Sequence, residues 1–100
     1  MVSGRLVKLF FKEGRSEEGF RMLDLSLNKE ARNARGFQGY VSMFSCDQPN
    51  VVIILTIWED DETFSNSKDM FYESMAHVAP LLEKDPNVEH CRIDTVNVIQ

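Results

Sequence analysis

Apolar positions along the chain switch between a period of two and a period of three to four, and each switch marks a new element. Arg5 to Lys12 (RLVKLFFK) is rich in β-formers and predicts a first strand. Val7, Leu9 and Phe11 share one of its faces; Leu6, Lys8 and Phe10 share the other. Gly14 breaks the run. Ser16 is placed as an N-cap, with Glu17 and Glu18 suited to the positive end of a helix. Phe20, Leu23, Leu27, Ala31 and Ala34 then form an amphipathic stripe that ends at Gly36. Gly39 to Cys46 predicts a second strand, and Asp47-Gln48-Pro49-Asn50 is turn chemistry that joins it to the next as a hairpin. Val51 to Glu59 (VVIILTIWE) is almost continuously apolar, the pattern of a central strand covered on both faces. Asp60 and Asp61 open a helical region that runs through Phe64 toward Leu82, with a break expected between Ser65 and Asp69. Phe71, Met75, Val78 and Leu82 are its stripe, and Pro80 weakens the last turn. Asp85-Pro86-Asn87 is a further turn, and Val88 to Ile99 alternates as a fourth strand.

The order β-α-β-β-α-β predicts an α+β chain with a ferredoxin-like, four-stranded antiparallel sheet and both helices on one face, as a single domain over residues 1–100. Strands two and four then lie at opposite edges, which places Cys46 and Cys91 too far apart to pair within one chain. The face without helices is also apolar, and 100 residues leave nothing to cover it. Two copies packed sheet on sheet would cover it, so a homodimer is expected.

Charge narrows the function classes. Eleven basic and sixteen acidic residues give a net charge of −5, which disfavours nucleic acid and anionic membrane as partners. The densest basic group, Lys29, Arg32 and Arg35, is interrupted by Glu30 and reads as the C-terminal end of a helix. The longest apolar run, Val51 to Leu55, is far short of the ~18 residues of a membrane span. The N-terminal residues read as neither signal nor transit peptide, and two cysteines without CxxC spacing suit free thiols in the cytoplasm. Adjacent His90 and Cys91 face opposite sides of a strand and cannot share a metal. Asp60, Asp61 and Glu62 fit a helix N-terminus, and Gly36 and Gly39 precede a strand rather than a phosphate-cradling helix.

Several short stretches carry a resemblance. Gly36-Phe37-Gln38-Gly39-Tyr40, then Ile54-Leu55-Thr56-Ile57-Trp58-Glu59, then Phe64, Phe71 and His77, resemble the antibiotic biosynthesis monooxygenase superfamily over nearly the whole chain. The resemblance implies a dimeric α+β barrel with a pocket between the sheet and helices of each protomer. The family includes cofactor-free monooxygenases of polycyclic phenols, quinol monooxygenases, haem-degrading enzymes and many members without known substrate, so the resemblance implies no single reaction. The haem-degrading branch pairs a helix His, matched here by His77, with an Asn in strand one and a Trp ten residues before that His. This chain has Val7 and Ser67 at those two places, so haem stays an alternative that rests on His77 as axial ligand.

The candidate site residues follow. Trp58, the single Trp, is either a pocket wall for a flat aromatic ligand or a core residue sealing the barrel end. His77 is either a base, hydrogen-bond partner or haem ligand, or a half-buried His bonded to a backbone carbonyl. Phe64 and Phe71 would line the pocket. Tyr72, Asn66 and Arg92 are further donors, each with a solvent-facing alternative. The leading expectation is a cofactor-free monooxygenase acting on a phenol or quinol. A haem binder and a non-catalytic ligand-sensing dimer are the other two. A pocket faced by both Trp58 and His77 favours the first pair; one filled by Phe64, Phe71 and Met75 favours the last.

Overall fold

The computed structural model describes residues 1–99. The elements are β1 (Ser3–Phe10), α1 (Ser16–Lys29), β2 (Phe37–Phe44), β3 (Val51–Trp58), α2 (Asp61–Asn66), α3 (Lys68–Val78) and β4 (Asn87–Arg92). The sheet order is β2-β3-β1-β4, with every neighbouring pair antiparallel. This is the expected βαββαβ arrangement; β2 ends at Phe44 rather than Cys46, which lies in the turn beyond it, Cys91 is on the opposite edge strand β4, and both thiols are free.

The strand periodicity sets which side chains meet the helices. Val7, Leu9 and Phe11 from β1 and its extension join Val52 and Ile54 of β3 in one buried cluster with Leu23, Val78 and Leu81. The register pairs Val7 with Ile54 and Leu9 with Val52, so the apolar sets of both strands point the same way. On the opposite face, Ile53, Leu55 and Ile57 are only partly covered, and Val41 and Met43 beside them are 47% and 43% exposed. β3 is thus the central strand that its composition suggests, but a single chain covers it on the helix side alone.

Element ends differ from the sequence expectations for local reasons. α1 stops at Lys29, and Ala31–Asn33 form a 3₁₀ turn before Gly36, whose positive φ of 82° turns the chain into β2. Arg15, not Ser16, occupies the N-cap, and its side chain makes no capping bond. The second helical region does break, at Ser67, into α2 and α3. α3 ends at Val78 and Pro80 sits in a 3₁₀ turn, Ala79–Leu81. β4 is much shorter than Val88 to Ile99. It pairs only with β1, from Lys8 opposite Asn87 to Ser3 opposite Arg92, and the Ile93 amide donates to the Val2 carbonyl just beyond.

α2 is anchored at its start. The Asp60 carboxylate accepts from the Thr63 amide at 2.8 Å, and the Thr63 hydroxyl reaches the Asp60 backbone in return, a closed capping box. The bond from the Thr63 amide, then that from its side chain, holds the Asp60 carboxyl below its ordinary pKa. A depressed folded value gives stability that is present above the unfolded pKa and lost as pH falls through the folded one. Asp60→Ala is therefore expected to lower the thermal midpoint at neutral pH. The gap to wild type should close as pH drops below the ordinary carboxylate range, which circular-dichroism melts across pH would show. At the other side of the sheet, Tyr40 of β2 donates to Asp24 of α1 at 2.8 Å and accepts from Asn28 at 3.1 Å, tying α1 over the strands. The bond to Asp24 is the main cause of a raised Tyr40 pKa. Among the described residues no helix is long and apolar enough to cross a membrane.

Candidate functional site

The space between the sheet and the two long helices is not fully packed. Val7, Ile54 and Thr56 form its floor, Leu23 and Leu27 of α1 one wall, and Phe71 and Met75 of α3 the other. The cleft measures about 50 Å³ and opens to solvent. Ser26 and Ser74 line it too, and their hydroxyls meet at 2.8 Å to bridge α1 and α3.

Trp58 and Arg5 line this cleft as well. Trp58 is 1% exposed. Its indole N–H donates to the Thr56 hydroxyl at 3.1 Å, and its ring meets Phe37 edge-on at 5.2 Å between centroids. It is buried at the end of the core and is one of the residues lining the cleft.

Arg5 is 4% exposed, a charged residue in the interior. Its guanidinium lies 4.3 Å from the Phe64 ring centroid and 4.6 Å from that of Phe71. One terminal nitrogen donates to the Ser67 hydroxyl at 3.0 Å, the other to the Phe64 carbonyl at 3.3 Å. Ser67 in turn donates to that carbonyl at 2.6 Å. Phe64 is backed by the His90 ring, stacked at 3.8 Å and 9°. The His90 ring lies 3.4 Å from Asp61, which accepts a bond from Ser3. α2 therefore works as a bracket: its capping box fixes its start, and Phe64 and Ser67 hold the Arg5 side chain. Burial lowers the Arg5 pKa, with Tyr72 acting in the opposite sense, and the guanidinium stays charged at any ordinary pH.

The candidates separate cleanly. Trp58 and Phe71 line the cleft, and Phe64 is buried beside it against Arg5. Tyr72 is 63% exposed, and Asn66 and Arg92 are exposed also. His77 does not share the cleft with Trp58. It is exposed and borders an outer groove with Met22, Leu25 and Lys29. The reason is helical phase: Phe71 and Met75 occupy the inner face of α3, and His77, two residues past Met75, is rotated by roughly 200° at the α-helical pitch. An iron held by His77 would sit on that outer groove, which shares Leu23, Ser26 and Ser74 with the cleft but not Trp58, while Ser67, where a haem-degrading site would have Trp, is committed to Arg5. The residues do not fit haem in the cleft. His77→Ala is expected to leave hemin absorption spectra and the binding of small aromatics unchanged from wild type. Among the described residues there is also no cluster of three His, Cys, Asp or Glu able to hold a metal ion.

Sequence reading missed Arg5 and Ser67 as partners. The signal was present in phase: Arg5 stands two residues before Val7, on the buried face of β1.

No protein-family model matches the chain, and no curated protein matches it in sequence. Solved structures do. A conserved protein from Methanosarcina mazei Go1 superposes with a TM-score of 0.80 at 17% identity, covering 94% of each chain. A provisionally assigned antibiotic biosynthesis monooxygenase from Caulobacter crescentus CB15 gives 0.79 at 18% identity, over 96% of this chain and 91% of that one. A variant of SnoaB, a cofactor-independent oxygenase from Streptomyces nogalater, gives 0.79 at 12% identity, over 95% of both. The chain thus has the α+β fold of the antibiotic biosynthesis monooxygenases. At these identities the likeness establishes the fold, and the chemistry has to be argued from the site.

Proposed function

We propose that the chain is a cofactor-independent monooxygenase acting on a small hydroxyaromatic, a phenol or quinol of one or two fused rings, bound in the cleft under the sheet. The observation that carries this reading is the cleft itself: an apolar slot walled by Trp58 and Phe71, on the fold of a cofactor-independent oxygenase. Flat walls of this kind suit a planar ring. At about 50 Å³ the cleft is smaller than the ~150 Å³ that holds a benzene ring, so a ring enters only where the partly buried Phe71 and Met75 side chains give way, beside Ser26 and Ser74.

The chemistry asks little of the protein. An ionised hydroxyaromatic passes an electron to dioxygen; one oxygen atom is retained on a ring carbon as a carbonyl and the other leaves as water. The cleft orients the ring, excludes bulk water and stabilises the negative charge. Trp58 is the wall against which the ring packs, and Phe71 faces it from α3.

The active unit is a homodimer formed through the open sheet face. Ile53, Leu55, Ile57, Val41 and Met43 make a contiguous apolar patch on that face, and a patch of this character in an otherwise acidic surface suits a second copy. Cytoplasmic residence is part of the same reading and accords with the two free thiols.

Two measurements test the reading together. Trp58, as the single Trp, reports ligand entry: para-naphthoquinone, the product of α-naphthol oxygenation, is expected to quench its fluorescence saturably. An oxygen electrode with α-naphthol is expected to show one dioxygen consumed per naphthol, without hydrogen peroxide. Quenching without oxygen consumption would favour the ligand-sensing alternative, and an absence of quenching would overturn the cleft as a ring-binding site.

A further inference from the structure

Arg5 is the one charged side chain in the lining of the cleft. Interior arginines normally answer to a carboxylate, because an unpaired charge in an apolar setting is costly. Arg5 does not: the ion pairs among the described residues are Arg15 with Glu18 and His90 with Asp61. Its protein partners are neutral, namely the Ser67 hydroxyl, the Phe64 carbonyl and the faces of two rings.

A guanidinium has five N–H donors. The two bonds to Ser67 and Phe64 use one on each terminal nitrogen. Nε makes neither bond, yet no sealed side-chain nitrogen or oxygen among the described residues lacks a partner. Nε is therefore not fully sealed, and Arg5 is one of the residues lining the cleft. Phe64 and Phe71 fix the guanidinium, and Ser67 sets its rotation. The guanidinium is held rigid in a poorly solvated setting, where a charge-assisted hydrogen bond to its remaining N–H donors would be strongest. Lysine in this place would be a mobile point charge, whereas arginine presents a rigid fork matched to an oxyanion.

We propose that Arg5 is an oxyanion receptor, so that the cleft takes a planar ring bearing an ionised oxygen, phenolate or carboxylate, seated on the unused N–H donors of the guanidinium. The inference rests on the reading of the cleft as a ring-binding site and adds the charge state of the ligand. For a phenol it also supplies a role: Arg5 draws the hydroxyl into its ionised form within the site, and that anion is the species able to reduce dioxygen.

The test uses ligands that are bound but not oxygenated, so it stands apart from turnover. Para-nitrophenol reports its own ionisation in the visible spectrum. Para-nitroanisole has nearly the same shape and cannot ionise. Para-nitrobenzoate carries the other oxyanion. With the wild-type protein, bound nitrophenol is expected to ionise about 1–3 pH units lower than free nitrophenol, the size of effect an opposite charge in contact produces. Arg5→Met should abolish that shift and weaken nitrophenolate by about ten- to a hundredfold, while nitroanisole binds as before. Arg5→Lys should recover part of the affinity. Binding of nitrobenzoate, but not nitrophenol, with the same dependence on Arg5 would support the receptor and name a carboxylate as its anion. If nitrophenol and nitroanisole bind wild type equally and ionisation is unshifted, with nitrobenzoate no tighter, Arg5 is a structural cation and the inference is overturned. That outcome needs only wild-type protein and holds even where the variants fail to fold. If no nitroaromatic binds at all, the ring-binding reading of the cleft falls too.

Discussion

Trp58→Ala is expected to cost about 3–5 kcal/mol of stability, the range for emptying a large buried ring site. Trp58 is among the largest fully buried side chains, and it closes the end of the core between Phe37 and the cleft. A chain of this size has only about 5–15 kcal/mol in total. The thermal midpoint should accordingly drop by about 12–40 °C, taking 4–8 °C per kcal/mol. The same variant removes the wall proposed for the ligand, so ring binding should vanish even below its melting temperature. Trp58→Phe separates the two roles. It keeps an aromatic face and loses the bond to Thr56, so about 1 kcal/mol is expected, with ring binding largely retained. Circular dichroism reads the folding of both variants, because neither contains another Trp to report it. A Trp58→Ala protein as stable as wild type would contradict the packing described here.

The second large effect lies on the opposite face of the sheet. Leu55→Glu places a charge at the centre of the apolar patch, where Leu55 is paired with Val41 on one side and Leu6 on the other. In an isolated chain that carboxylate is solvated. In a sheet-on-sheet dimer it is buried without a partner, a penalty of several kcal/mol. Dissociation should therefore strengthen by at least about a thousandfold, since every 1.4 kcal/mol is tenfold. Sedimentation velocity should find wild type as a dimer and the variant as a folded monomer. A variant that stays dimeric would place the interface elsewhere.

Much of this architecture could be read from spacing. Period two in RLVKLFFK and the helical stripe from Phe20 to Ala31 fixed which faces are apolar, and the turn residues at Asp47 to Asn50 and Asp85 to Asn87 separated the strands. Element ends were less legible, because they depend on partners distant in sequence. β4 leaves the ladder at Arg92, opposite Ser3, and nothing within Ile93 to Ile99 signals it. The site was legible only in part. Trp58 and Phe71 stood out as aromatics on or beside a buried face. His77 stood out by residue type and by resemblance, yet its place on α3 turns it outward. Arg5 was hidden by the opposite bias: a charge at the start of a strand reads as solvated, and its real surroundings, Phe64, Ser67 and Phe71, come from sequence positions about 60 residues away. A cation in phase with buried positions deserves the question of what neutralises it; here the answer lies in the cleft rather than in a carboxylate.

The fate of dioxygen tests monooxygenation in this cleft most directly. Wild-type protein supplied with α-naphthol under isotopically labelled dioxygen is expected to release para-naphthoquinone carrying one labelled oxygen, with the second labelled atom in water. Trp58→Phe should retain that labelling pattern. Quinone whose new oxygen is unlabelled, or labelled hydrogen peroxide formed in place of labelled water, would contradict monooxygenation in this cleft.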